Sequence, residues 1–352
     1  MVKEYGYEYE AALDEELWSM TQGLSAEDEQ LFGALCLRSG RDALMAVAAE
    51  YEPRTVLLPA LACDSMVLPF EKVGHSVRFY RLYRDYSAVT EDIAAVTEPA
   101  LLLYMNYFGL PAIADETLET LRSRGNFVFI EDRTHDLFCE KSSSFRPDYT
   151  IASLRKWLPV PDGGLLWGNV SVRIKSDTAF SARRLRAQNM RYEFLHGGEA
   201  SLKPEYRQIF STVSDIIDGE KQPAYMSAYS FALAQRTDWA ALRETRRENA
   251  EALISVLSAS PHVTFIQGRP GMSDLYVPFT VPHRDKIQTI LSAEGIFNTI
   301  IWPLTPEQKR ICPVAKFTEE NMLAAPCDQR YTPADMLTIG KEIVRVIEDV
   351  NR

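Results

Sequence analysis

The stretch Ser153-Leu154-Arg155-Lys156-Trp157-Leu158-Pro159-Val160-Pro161-Asp162-Gly163-Gly164 decides how this chain reads. Apolar and β-branched runs flank it, residues 149–154 before and 164–167 after, each with the length and composition of a buried strand. A lysine therefore stands in a tight connection between two strands. Lysine is seldom buried without a task. In a partly dry pocket the charged form of its amine is disfavoured, and the neutral amine can attack a carbonyl carbon. The competing reading is a solvated loop lysine beside a Gly-Gly turn, and three upstream stretches bear on the choice.

The 352 residues suffice for a large core and for two domains, and the 46% hydrophobic and 25% charged content is ordinary for a globular chain. A net charge of −11 argues against nucleic acid or an anionic membrane as partner, and the basic clusters at 183–186 and 243–247 read as solvated helix faces. No apolar run approaches the ~20 residues that span a bilayer, and Met1-Val2-Lys3-Glu4-Tyr5 is no signal peptide. Cys36, Cys63, Cys139, Cys312 and Cys327 are odd in number and form no Cys-x-x-Cys pair. That argues against a disulfide framework or a zinc site and points to a reducing, cytoplasmic setting.

Residues 1–35 read as an acidic arm with a short helix at 26–35. At Ser39-Gly40-Arg41-Asp42 a helix begins, with Ser39 as N-cap. Such a start leaves backbone N–H groups for an anion, although an ordinary capped helix looks the same. Strand and helix then alternate: strands at 55–58, 77–82, 100–106 and 127–130, helices at 64–73, 91–96 and 115–124. Single helices between strands predict an α/β fold with a wound, mostly parallel sheet, whose ligands sit beyond the carboxyl ends of the strands. Asn106, Asp132, Ser153 and Lys156 all fall at such ends. Residues 177–195 read as mixed and charged, 206–222 as helix then loop, and 224–257 as one long helix. The tail gives strands at 263–266, 275–281 and 297–302 and helices at 283–293 and 333–350. The division is an arm (1–35), a large cofactor-binding domain (36–225) and a smaller carboxyl-terminal α+β domain with its linking helix (226–352).

A lysine nucleophile, an anion-binding helix start and a buried aspartate suit a cofactor bearing an aldehyde, a phosphate and a basic ring nitrogen. Pyridoxal 5′-phosphate has all three. Taken singly, Asp132 also reads as an Asx-turn residue and His135 as a core histidine. As a metal pair Asp132-x-x-His135 lacks a third ligand, so no metal is expected. Trp157 and Trp302 read as packing residues.

Taken together, Ser39-Gly40-Arg41, Leu57-Leu58-Pro59-Ala60-Leu61-Ala62-Cys63, Ile130-Glu131-Asp132-x-x-His135 and Lys156 followed by Gly163-Gly164 resemble the DegT/DnrJ/EryC1/StrS aminotransferases. The likeness runs from about residue 36 to the tail, including Ile301-Trp302-Pro303-Leu304 and Asp328-Gln329-Arg330-Tyr331. It implies a fold-type-I pyridoxal-phosphate transferase with a seven-stranded-type sheet, working as a homodimer. Its reaction would move an amino group from an amino-acid donor to a keto acceptor such as a nucleotide-linked keto-sugar. Lys156 would carry the cofactor as a Schiff base and shuttle the proton, and Asp132 would pair with the ring nitrogen. His135 would approach the phenolic oxygen, and Cys63 would cover the ring face. Ser39, Gly40 and Arg41 would bind the phosphate, with Ser153 adding a hydroxyl. Two alternatives stay open: a lyase, decarboxylase or aldol reaction on the same cofactor, and a non-catalytic cofactor- or nucleotide-binding protein.

Overall fold

The run Ala100–Met105 (ALLLYM) is buried at every position, as a parallel strand covered on both faces requires. In the computed structural model, which describes residues 3–138, 143–266 and 273–352, it lies inside the largest sheet. Among the described residues that sheet has eight strands, in the spatial order Gln30–Leu31, Ala34–Leu37, Gly164–Trp167, Tyr149–Ala152, Phe127–Asp132, Ala100–Met105, Thr55–Pro59, Ser76–Tyr80. The strands from Tyr149–Ala152 to Ser76–Tyr80 are mutually parallel, and the other three run antiparallel to their neighbours. Seven of these make the expected wound sheet, and the two-residue strand Gln30–Leu31 adds an eighth at the edge.

The connecting helices are those expected: Gly40–Ala49, Asp64–Lys72, Thr90–Ala94 and Asp115–Ser123. Two end at a glycine in the left-handed region, Gly74 (φ 90°) and Gly125 (φ 72°), where other residues are strained. The register brings the strand ends level. Met105 pairs with Asp132, and Asp132 with Ile151, so three adjacent carboxyl ends open at one height.

A second core forms around the antiparallel sheet Thr264–Phe265, Tyr276–Thr280 and Met322–Pro326, with Leu253, Leu257, Phe279, Ile287, Ile339 and Ile343 buried between it and the helices Trp239–Leu257, Arg284–Ala293 and Pro333–Asn351. Residues near the amino terminus are tied into both cores. Tyr5–Gly6 pairs in parallel with Ile296–Phe297, while Gln30–Leu31 joins the main sheet.

Several elements differ from the sequence reading. The helix expected at 26–35 is a hairpin, with Leu31 opposite Ala34 and Phe32 (φ 57°) and Gly33 (φ 73°) forming the two-residue turn; the arm's helix is Glu15–Thr21, capped by Asp14. The long helix at 224–257 is two, Ala228–Arg236 and Trp239–Leu257, because the Asp238 carboxylate accepts from the Ala241 amide at 3.0 Å and starts a new helix. The strand expected at 297–302 is the pair Ile296–Phe297 plus one bridge, Thr299 to Ala324. The helices Pro306–Ile311 and Pro313–Asn321 and the strand Met322–Pro326 were not anticipated. Residues 177–195 hold a regular helix, Ala179–Leu195, and the expected helix-then-loop at 206–222 is the helix Leu202–Gly219. Cys139 lies outside the described residues, and none of the described helices is long and apolar enough to cross a membrane.

Where strand Gly164–Trp167 meets the start of helix Gly40–Ala49, backbone touches backbone. A Cβ on Gly164 would lie 2.2 Å from the carbonyl carbon and oxygen of Ser39 and 2.7 Å from the Gly40 nitrogen. Gly164→Ala is therefore expected to destabilise the fold by roughly 1–3 kcal/mol or more, read as a lowered thermal midpoint. Gly219→Ala, where nothing lies within 4 Å of the added carbon, should leave the midpoint nearly unchanged. Equal effects from the two substitutions would contradict the contact.

Candidate active site

Strand Tyr149–Ala152 ends at Ser153, and one 3-10 turn, Leu154–Lys156, follows. Residues in such a turn point about 120° apart, so Leu154 enters the core while Arg155 and Lys156 face a cavity. Three attachments hold the loop. Trp157 is buried, and its Nε1 donates to the Thr134 carbonyl at 3.0 Å. The Asp162 carboxylate, also buried, accepts from the Ser227 amide at 2.9 Å, from Ser227 Oγ at 2.7 Å and from Ser230 Oγ. The Leu154 amide donates to the Gly163 carbonyl at 3.1 Å, and the Gly163 amide donates to the Arg38 carbonyl at 2.7 Å. The Gly-Gly pair thus fastens the lysine turn to the residue preceding the helix start.

The cavity encloses about 540 Å³, its open mouth included, within the ~300–1,000 Å³ typical of small-molecule sites. The structure brings Ser39, Gly40, Arg41, Cys63, Asp132, Ser153 and Lys156 to its wall. His135 is not on the wall; its buried ring packs one layer behind, 5.0 Å from the Phe108 ring and 5.9 Å from that of Trp302. The wall also carries residues that the sequence reading did not select. Met105 and Ile151 were findable from the sheet register flanking Asp132, and Thr134 and Arg155 from adjacency to chosen residues. Trp302, read as a packing residue, comes from the distant tail and lines the cavity. No local signal marks it.

Burial governs the electrostatics. The Lys156 ammonium is held below its ordinary range by burial; the nearby Cys63 and Asp132 oppose that shift, while Arg155 and Arg41 reinforce it. Its Nζ lies 5.8 Å from the centre of the Trp302 ring and has no hydrogen-bond partner among the described residues. Burial pushes the Asp132 carboxyl up, against hydrogen bonds from Thr134, whose amide donates at 2.8 Å, and against the Lys156 charge. Asp132 is thus an Asx-turn residue and a wall residue at once. Burial, with the charge of Lys156, keeps the His135 imidazole neutral, and its Nδ1 has no partner among the described residues. Ser39 spends its hydroxyl on the helix start, accepting from the Asp42 amide at 3.1 Å and donating to the Asp42 carboxylate. The Gly40 and Arg41 amides are the helix's first two and have no carbonyl within it to bond. The Cys63 thiol lies 3.2 Å from the Ser65 hydroxyl.

Solved structures share this arrangement of elements. Helicobacter pylori PseC, an aminotransferase involved in the biosynthesis of pseudoaminic acid, superposes with a TM-score of 0.68 at 12% identity, over 99% of this chain and 100% of that one. The chain has the fold of that aminotransferase. The PLP form of Spr1654 from Streptococcus pneumoniae, a putative sugar aminotransferase, gives 0.63 at 16% identity over 96% and 90%. S. venezuelae DesV, in complex with a ketimine intermediate, gives 0.61 at 17% identity over 97% of this chain and 91% of that one. No protein-family model matches the sequence, and no match is found among curated proteins.

Beside the site, burial pushes the Asp136 carboxyl up to about 6, with Glu131 and Asp132 adding to the shift and Arg133 and Asn106 opposing it. A folded-state value above the unfolded one, about 3.9, gives a contribution to stability that is complete below that pH and is lost as pH rises through 6. The stability of the natural chain relative to Asp136→Asn should therefore fall by on the order of 2–3 kcal/mol between about pH 4 and pH 7. Urea unfolding at the two pH values measures it, and a pH-independent difference would refute the assignment.

Proposed function

We propose that the chain is a pyridoxal-phosphate-dependent aminotransferase that moves an amino group from an amino-acid donor to a keto-sugar acceptor. One observation carries the reading: a lysine amine biased toward its neutral form and a buried carboxylate face one cavity at the start of a capped helix. The cavity also fits the cofactor in what it leaves unbonded. The buried Nε1 of Trp302, a residue of the wall, lacks a partner among the described residues. An orphaned buried polar group is costly, so its presence at a cavity signals a ligand. The sugar class of the acceptor is supported by one solved structure of this fold, Spr1654, which is described as a putative sugar aminotransferase.

Each wall residue then has a task. Lys156 Nζ, its charge disfavoured by burial, would be the amine that holds the cofactor through its aldehyde group, and it is the group on the wall able to take up and return a proton at the substrate carbon. The Asp132 carboxylate, fixed by the Thr134 amide, would hold the cofactor's ring nitrogen in its protonated form. The Gly40 and Arg41 amides bind phosphate at the positive end of the helix. Trp302 and Met105 exclude water from the same space. The cofactor itself supplies an electron sink for the negative charge that develops on the substrate carbon.

The purified chain should gain a visible absorbance band with pyridoxal 5′-phosphate and lose it when a donor such as glutamate is added. Lys156→Ala should abolish the band and lower turnover by at least ~10²–10⁴-fold; Asp132→Ala should keep the band and lose turnover. A chain that stays colourless with the cofactor would sink the reading. A band that forms but survives every amino donor would point to a different reaction on the same cofactor.

A further inference from the structure

Three cationic side chains, Arg41, Arg155 and Lys156, stand on the cavity wall against a single carboxylate, Asp132. Arg41 is neutralised elsewhere, donating to Asp218 of helix Leu202–Gly219 at 2.8 Å. Arg155 is not. Among the described residues it makes no hydrogen bond or ion pair, and its charged neighbours are divided: burial disfavours its cation most, Arg184 and Arg41 add to that, and Glu8 and Asp162 oppose it. Burial, with Arg184 and Arg41, pushes its guanidinium down to about 9, well below the ordinary arginine range. Arg184 is itself only 1% exposed, and its Nε and Nη1 have no partner; its other nitrogen is paired with Glu8. Positive charge is thus concentrated beside the cavity and left without enough anions to balance it.

Geometry says where an anion would relieve this. Arg155 precedes Lys156 in the same turn, and it shares the wall with Ser39, Gly40 and Ser153 at the start of a ten-residue helix. Helix-start amides and a guanidinium converging on one space suit a tetrahedral, doubly charged oxyanion better than a planar carboxylate, since they offer donors from several directions. We propose that Arg155 is a phosphate-binding residue, its guanidinium completing with the Gly40 and Arg41 amides a site for the phosphate monoester of the cofactor. The assignment rests on the function proposed above, which supplies a ligand with one such group. It also gives the Ser153–Lys156 turn two tasks at once, since the residue that bonds the aldehyde and the residue that holds the phosphate are adjacent and move together.

Pyridoxal, which lacks the phosphate, separates this inference from its foundation. Spectrophotometric titration of the natural chain, Arg155→Met and Arg155→Lys with pyridoxal 5′-phosphate and with pyridoxal reads both. Arg155→Met should weaken binding of the phosphorylated cofactor by about 10–100-fold, as expected for a lost charged hydrogen bond, and weaken pyridoxal far less, through the changed charge beside Lys156 alone; Arg155→Lys should fall between. Inorganic phosphate should raise the thermal midpoint of the cofactor-free natural chain and not that of Arg155→Met. Unchanged affinity for the phosphorylated form, or equal weakening toward both compounds, would overturn the role of Arg155 while leaving the aminotransferase reading intact. No band with either compound in the natural chain would overturn that reading as well. Should Arg155→Met fail to fold, the lysine variant decides alone, because unchanged affinity there also overturns the assignment.

Discussion

The site depends on one close approach of two backbones. Gly164 lies so near the Ser39 carbonyl that no side chain fits between them, and the Gly163 amide bonds the Arg38 carbonyl at 2.7 Å. Through this contact the turn bearing Lys156 and the helix start bearing Gly40 become one rigid unit, although more than a hundred residues separate them in sequence. The register of the main sheet supplies the third component. Asp132 stands level with Met105 and Ile151, so the carboxylate rises into the space that the first two components define. Had the glycine pair been displaced by one residue, the strand after it would turn over and the alignment would be lost.

The parallel sheet was legible because burial on both faces writes long apolar runs, and two of the helices between them end at glycines in the left-handed region. Much of what escaped has one cause, partners distant in sequence. Helix Ala179–Leu195 looked mixed because its inner face carries Arg184, Gln188 and Arg191. These are acceptable inside since residues 4–10 bring Glu4, Glu8 and Glu10 to the two arginines. The hairpin at 30–37 was missed because two-residue alternation is short enough to pass for a helical turn. The strand Met322–Pro326 is two alanines and a proline among five residues, and only its pairing with Tyr276–Thr280 makes it a strand. In the site, the residues chosen from sequence reach the wall except His135 and Asn106, while Trp302 emerged only once the cavity had a shape.

Burial also explains why the site's two opposite charges are both weakened. Taking Lys156 out of water disfavours its cation, and taking Asp132 out disfavours its anion. Each partly restores the other, yet the arginines nearby tilt the balance against the ammonium and not against the carboxylate. The amine is therefore the more chemically available of the pair, and the carboxylate the better suited to hold a proton on a basic partner. His135 completes the pattern: the same lysine charge that helps Asp132 keeps the imidazole neutral, leaving Nδ1 able to donate or accept according to what meets it.

The second core reaches this chemistry through Arg246. Its guanidinium stacks over Trp157 with its carbon 4.9 Å from the ring centre, donates to the Tyr9 hydroxyl at 2.5 Å, to Gln329 Oε1 at 2.9 Å and to the Asp274 carbonyl at 2.9 Å. Gln329 in turn donates to the Trp157 carbonyl at 2.9 Å, the residue next to Lys156. One buried cation thus joins the amino-terminal arm, the tail and the lysine turn, with its donors directed at neutral acceptors from several segments. Removing such a group would strand several acceptors at once, a far larger cost than any one of its bonds is worth. The position of the lysine is therefore set by the whole chain, first by the glycine contact that fixes the turn from beneath and then by the arginine that closes it from the side.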